Sequence, residues 1–339
     1  MKKTLPILTA LALIAGACTN PLETRFEQDP ELIILNAMFR TDDSIHVAWL
    51  SRGLIDDVLP LPDAQLRCYI NGELAEEGVL VPQDEYYYAS RYEFTSRIQP
   101  GDEVRLEAVN GSLRASATAT APQAAQLVAV DTTYLDFSPY FKEITYPGPI
   151  ACNLKLQDLP GQSNWYRLSV LYEEYDSDRD WSGLKETWEQ HYVNFGFLQD
   201  PILSDSSRPD QGDRVTFMYL LGDGESNTYC FFQDTPFADT TADVEIHVPD
   251  FGRGFFNETQ HHRLSLKFAL LTIPEEEYDY LLQVKKSLYD SSDYGPLREP
   301  VHVPGNVNGG LGFFSVESAS TITLRLPERD YSSGSSIFP

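Results

Sequence analysis

From residue 31 onward apolar and polar side chains alternate with a period of two, which restricts most of the chain to half-buried β-strands. Successive side chains on a strand point to opposite faces. The runs Ile45-Val47-Trp49, Ala64-Leu66-Cys68-Ile70, Val104-Leu106-Ala108 and Leu113-Ala115-Ala117-Ala119 therefore each read as one stripe against a core. Leu32 to Phe39 is a near-continuous apolar strand. Asn71-Gly72 and Asn110-Gly111 sit between alternating runs, where a two-residue hairpin turn needs positive φ. Short strands with turns every 8 to 15 residues predict an immunoglobulin-like β-sandwich over 31–121, closed at Pro122.

With 339 residues the chain is long enough for a second core. Residues 122–140 read as a crossover into a larger antiparallel β domain, 122–327. Its strands are predicted at 151–157, 165–173, 188–197, 214–221, 228–233, 243–248, 263–271 and 320–326. One helix interrupts them at about 273–289. Thr272-Ile273-Pro274-Glu275 has the pattern of a capping box, Glu276 and Glu277 suit the positive end of the helix dipole, and Tyr278, Leu281 and Leu282 form an apolar stripe. That stripe predicts docking on the sheet, with Leu281 or Leu282 buried. The 292–312 stretch reads as a long loop or edge, and 328–339 as a frayed tail.

The chain opens with Lys2 and Lys3, an apolar run from Leu5 to Ala15, then Ala15-Gly16-Ala17-Cys18. The run suits a secretory signal and is too short to span a bilayer of ~30 Å. Cys18 at the cleavage point predicts a lipoprotein, with residues 1–17 removed, Cys18 acylated and 18–30 as a tether. Ala15-Gly16-Ala17 equally satisfies ordinary signal cleavage at the same bond. Thr19-Asn20 is no inner-membrane retention signal, so the expected location is the outer membrane, on either face. A net charge of −26 argues against nucleic acid and anionic lipid as partners. Cys68, Cys152 and Cys230 lack metal-binding spacing and read as core residues; a Cys152–Cys230 bridge is left open.

Few residues suggest chemistry. Asp176, Asp178 and Asp180 have the D-x-D-x-D opening of a calcium loop, but Trp181 stands where that loop needs Gly and Thr187 where it needs Glu. Gly309-Gly310-Leu311-Gly312 lacks the helix and Lys of a phosphate loop, and reads as glycines permitting close backbone packing. His46, His247 and His302 fall in the polar phase of their strands, and no hydrolase or metalloprotease motif is visible. The chain therefore predicts no catalytic site and no cofactor. Tyr86-Tyr87-Tyr88, Tyr92, Trp165, Trp181, Trp188 and Tyr192 exceed what two cores need. Phe313 and Phe314 are consecutive, so on a strand one ring faces away from the core. With Asn306 and Asn308 they form the expected partner contact.

The Ala15–Cys18 motif, the Leu32–Phe39 strand, the Pro100-Gly101 turn, Phe232-Gln-Asp234-Thr-Pro-Phe237, the Glu275–Leu288 helix and Glu299–Phe314 together resemble the Bacteroidota lipoproteins of domain-of-unknown-function family 4249. The resemblance spans the mature chain, and Glu299-Pro-Val … Asn306 … Gly310-Leu-Gly-Phe-Phe314 is its most specific part. Val303-Pro304-Gly305 departs from the aliphatic, Tyr and Ser common there. The resemblance implies an outer-membrane lipoprotein, often encoded beside a TonB-dependent transporter, without established chemistry. The expected function is non-catalytic binding of a ligand or transporter during nutrient uptake. A structural or adhesive, pilus-like component is the alternative, and a secreted hydrolase a third. Acylation requires the Cys18 thiol, so Cys18→Ala should abolish lipid labelling and release the protein from the membrane fraction.

Overall fold

The computed structural model describes residues 31–54, 57–82, 88–134, 150–180, 183–192, 200, 202–203, 230–248, 261–290 and 302–325. The signal, tether and tail, the strand expected at 214–221, and Trp181 lie outside them. The chain is mainly β. The N-terminal strands are β1 (Leu32–Arg40), β2 (His46–Gly53), β3 (Val58–Pro60), β4 (Gln65–Ile70), β5 (Glu73–Glu77), β6 (Val79–Val81), β7 (Ser90–Phe94), β8 (Glu103–Asn110) and β9 (Leu113–Thr120). There follow β10 (Gln126–Tyr134), β11 (Ile150–Gln157), β12 (Trp165–Asp180), β13 (Gly183–Tyr192), β14 (Phe231–Gln233), β15 (Thr241–Val248) and β16 (His261–Ile273). Helix α1 (Glu275–Asp290), β17 (Gly310–Leu311) and β18 (Phe314–Arg325) complete the order.

Both Asn-Gly hairpins form, with different turns. Asn71 and Gly72 both have positive φ (52° and 84°), as a type I′ turn requires. Asn110 is already paired with Leu113, so Gly111 (φ 58°) takes the first central position, the signature of type II′.

One long sheet runs β13-β12-β16-β18-β1-β2-β7-β6. Smaller sheets cover one of its faces: β5-β4-β8-β9 over the N-terminal half and β10-β11-β15 over the C-terminal half. Ile33, Leu35, Phe39, Leu50, Tyr92 and Phe94 meet Leu66, Cys68, Val104, Leu106 and Ala117 in the first core. Tyr166, Leu168, Phe268 and Leu270 meet Cys152, Leu154, Val244 and Ile246 in the second. Cys68, Cys152 and Cys230 are buried thiols with no disulfide between them. Burial pushes Cys68 and Cys152 up to about 12, so neither ionises at neutral pH.

The halves meet in β18. Its Phe314–Glu317 segment pairs in parallel with Ala37–Arg40 of β1, and its Ser318–Arg325 segment pairs antiparallel with Ser265–Thr272 of β16. Where β1 ends, the Thr41 hydroxyl accepts the Ala319 N–H (3.0 Å), covering the donor at the change of partner. Phe314 and Val316 belong to the first core, so the sandwich read as 31–121 is completed by residues from the far end of the chain. The expected crossover is also corrected. Residues 126–134 form β10, and the short link before it is held to the long sheet. Ser318 Oγ donates to the Pro122 carbonyl, while the Ala125 and Leu127 N–H groups donate to Thr272 Oγ1 and Ser320 Oγ.

Helix α1 covers the opposite face of the long sheet, over β16 and the start of β18. Leu281 is fully buried against Ala269, Leu271 and Ile273, with Trp165, Tyr278 and Tyr280 around it. Thr272 does not cap the helix as its sequence position suggested. It is still in β16 and its hydroxyl serves Ala125, while the Glu277 and Tyr278 N–H groups donate to the Pro274 carbonyl (3.1 and 3.2 Å). Leu281→Ala should cost about 2–5 kcal/mol in urea unfolding, and Leu282→Ala, at a half-buried position, clearly less.

Candidate functional site

Side-chain parity builds an apolar surface on the face of the N-terminal half that no other described sheet or helix covers. In β2 the inward residues are His46, Ala48 and Leu50, so Val47 and Trp49 point outward with Ile45 on the same phase. This inverts the phase expected from the Ile45-Val47-Trp49 stripe, and the reason is His46. Its ring stacks on Phe39 (4.8 Å between centroids) and its Nε2 lies 3.0 Å from the Ser96 carbonyl. Burial holds His46 below the ordinary imidazole range despite that carbonyl, so it sits in the core as a neutral ring.

Strand registers then define the outward rows. Leu311, Ile34, Ser51 and Pro60 lie side by side across β17, β1, β2 and β3. Asn36, Trp49, Arg91 and Val81 follow across β1, β2, β7 and β6, and Val47, Glu93 and Val79 after them. Arg91 and Glu93 pair with each other (2.5 Å), which balances the charge set into this face.

The long sheet ends at β6, which has no further partner strand among the described residues. Segment Glu73–Val81 passes from the small sheet to the long one at Gly78. The Gly78 N–H donates to the Leu66 carbonyl (2.8 Å), and an added Cβ would press on the Phe94 ring. The segment is held by Glu76, whose carboxylate accepts the Thr95 and Ser96 N–H groups (2.7 and 2.8 Å) and both hydroxyls. Burial acts to raise Glu76, but these four donors outweigh it and hold the carboxyl below its usual range. Unlike a guarded edge, β6 carries neither Lys nor Pro, and its residues are Val79, Leu80 and Val81. Among the described residues, Val58, Val79 (62% exposed), Leu80, Tyr88 (75%) and Leu311 (54%) all stand on this face or its free edge, and Ile45 shares the outward phase of Val47 and Trp49. Of the remaining exposed large apolar side chains, Leu74 lies on β5 of the small sheet and Val128 on β10. Concentration, rather than exposure alone, marks a contact surface.

The contact expected at Phe313, Phe314, Asn306 and Asn308 is corrected. Parity does turn the two rings to opposite faces, but both faces are covered. Phe314 packs edge-on to Phe39 in the first core (5.3 Å), and Phe313 stacks on Tyr280 of α1 (4.2 Å, 9° between planes). The Asn306 amide is used within the chain, with Nδ2 donating to the Phe314 carbonyl and Oδ1 accepting its N–H (2.7 and 2.8 Å). Asn308 exchanges backbone hydrogen bonds with Ser116 of β9. Gly312 (φ 112°) lies so close to β1 that a Cβ would overlap the Leu35 carbonyl oxygen. This segment closes the first sandwich.

Asp176, Asp178 and Asp180 lie within β12, opposite Thr187, Lys185 and Gly183 of β13. On an extended strand alternate residues are about 6.7 Å apart, so the backbone does not wrap as a calcium loop must. Among the described residues no group of three or more His, Cys, Asp or Glu is placed to hold a metal ion. Tyr92, counted with the surplus aromatics, is a core residue whose hydroxyl lies 2.9–3.0 Å from the carbonyls of Leu61, Pro62 and Ala64.

Fold and face together define a protein of two β-sandwiches fused through one sheet, with an open apolar face at one end. The chain belongs to the DUF4249 family, a domain of unknown function, which matches residues 19–323. No curated protein matches it. Among solved structures it is similar to a DUF4785 family protein from Legionella pneumophila, at 10% identity and a TM-score of 0.21. The match covers 69% of this chain and 50% of that one, so the chain spans about half that protein's length. So low a score carries no argument for either fold or function. Among the described residues no helix is long and apolar enough to cross a membrane.

Proposed function

We propose that this protein is an outer-membrane lipoprotein anchored through Cys18 and acting by contact, its N-terminal face docking a TonB-dependent transporter in nutrient uptake. The observation that carries this reading is the gathering of Val58, Val79, Leu80, Tyr88 and Leu311 on one uncovered sheet face and its free edge. A free edge offers backbone donors and acceptors to an added strand, and the apolar rows beside it give that strand's side chains something to pack on.

The attachment point suits such a role. The residues that follow Cys18 join the body at Leu32, whose register partner Gly53 lies opposite Val58 on this same face. A chain reaches at most about 3.5 Å per residue, so a tether over 18–30 keeps the face within a few tens of ångströms of the membrane. The transporter itself is an expectation from the lipoprotein family the chain resembles, and the face supplies a surface for it.

The test is affinity purification from membranes in mild detergent, comparing wild type with Val79→Asp. The side chain is solvent-exposed, so the substitution should leave stability within about 0.5 kcal/mol. A TonB-dependent transporter should be recovered with wild type and lost with Val79→Asp. Recovery of the lipoprotein alone, or equal recovery with both, would contradict the reading.

A further inference from the structure

Among the described residues, two buried carboxyls beneath α1 face a single guanidinium. Glu277 of α1 and Glu317 of β18 are 0% and 1% exposed, and both face the Arg167 guanidinium of β12. Arg167 Nη1 lies 2.9 Å from Glu317 Oε1 and 3.6 Å from Glu277 Oε1, with the Met38 sulfur of β1 at 3.9 Å. The other charged groups on this face belong to a neighbouring cluster. Arg40 of β1 grips Asp42 with two nitrogens at 3.0 Å and reaches Ser169 of β12. Lys267 of β16 also binds Asp42 (2.8 Å), and Asp43 stands beside Arg40. Burial acts to raise Asp42, but Arg40 and Lys267 outweigh it and hold it ionised, while burial raises Asp43. Glu173 of β12 shares the face of Arg167 and Ser169, so among the described residues acids outnumber Arg40, Lys267 and Arg167 here. The remaining acids at the start of α1, Glu275, Glu276 and Asp279, are exposed to water.

We propose that Glu277 and Glu317 share one proton, and that this proton holds α1 on the sheet, so that its loss releases the helix and uncovers the apolar strip beneath. With both carboxyls ionised, one guanidinium would face two negative charges in a site sealed by the Tyr280–Phe313 stack and the edge-on Phe231–Tyr278 pair. Burying an uncompensated charge is unfavourable, and carboxylate oxygens can only accept. The Glu277 and Glu317 carboxylate oxygens and Ser315 Oγ are buried without a hydrogen-bond partner among the described residues, and a proton on Glu277 would supply a donor. Burial and the Glu317 charge push Glu277 well above the usual carboxyl range, with Arg167 only partly opposing them.

The sign of the pH dependence follows. A carboxyl whose folded pKa is raised contributes docking stability in full below the ordinary carboxyl range. That contribution falls as pH rises, and is lost as pH passes through the folded pKa of Glu277. One proton sets the slope, so the open population of α1 should grow by up to about tenfold per pH unit in that range. Release would expose Leu281, Leu271, Ile273 and Phe313 while β18 keeps its pairing on both sides.

The test follows amide exchange of residues 275–284 against pH, corrected for the intrinsic exchange rate, in wild type and Glu277→Gln. The infrared carbonyl stretch of a protonated carboxyl is recorded on the same samples. Wild type should show that stretch at neutral pH, losing it as helix protection drops, and Glu277→Gln should lack the band and keep the helix protected throughout. Should Glu277→Gln not fold, the wild-type titration decides: loss of band and of protection must share one midpoint. Absence of the band at neutral pH, or protection independent of its loss, would overturn the proposal.

Discussion

The structure depends on one strand having two sets of neighbours. Across β18 the backbone pairs first with the start of the chain and then with β16, so one strand carries the long sheet across the junction. Two domains in a chain ordinarily meet through a modest side-chain interface that permits relative motion. Here they meet through a hydrogen-bonded ladder. The local sequence is adapted to that. Gly312 lets the chain lie against the Leu35 carbonyl, the Asn306 amide fixes the entry of Phe314, and Thr41, Ser318 and Ser320 satisfy backbone groups around the change of partner.

Much of the fold was legible because its signals are local. Period-two alternation located most strands, Asn71-Gly72 and Asn110-Gly111 marked hairpins, and the Leu281 stripe marked a docked helix. What was not legible is non-local. A parallel pairing between residues 37–40 and 314–317 leaves no trace in either segment alone. Phe313 and Phe314 do turn to opposite faces as parity requires, but the sequence does not reveal that both sheet faces are covered at that point. Thr272 carried a capping pattern, yet its hydroxyl was already engaged by Ala125, a partner far away in sequence.

The candidate face was present in the sequence but read in inverted phase. Ile45, Val47 and Trp49 look like a core stripe because they are the larger apolar residues, while the true inward set includes a histidine. A histidine becomes acceptable inside once it stacks on Phe39 and meets the Ser96 carbonyl. The outward stripe then has to be explained by something other than the core. An apolar row on an uncovered sheet face, ending at an unguarded edge strand, is the feature a contact function needs.

That face is useful only if it is presented by a rigid body, and rigidity rests on β18 making one unit of both halves. Equilibrium urea unfolding with one tryptophan at a time tests this most directly. Trp49 reports the N-terminal half and Trp165 the C-terminal half, with the other tryptophans replaced by Phe in each variant. A fused body predicts coincident transitions for the two reporters. Two separated transitions would show that the halves unfold independently and would contradict the account.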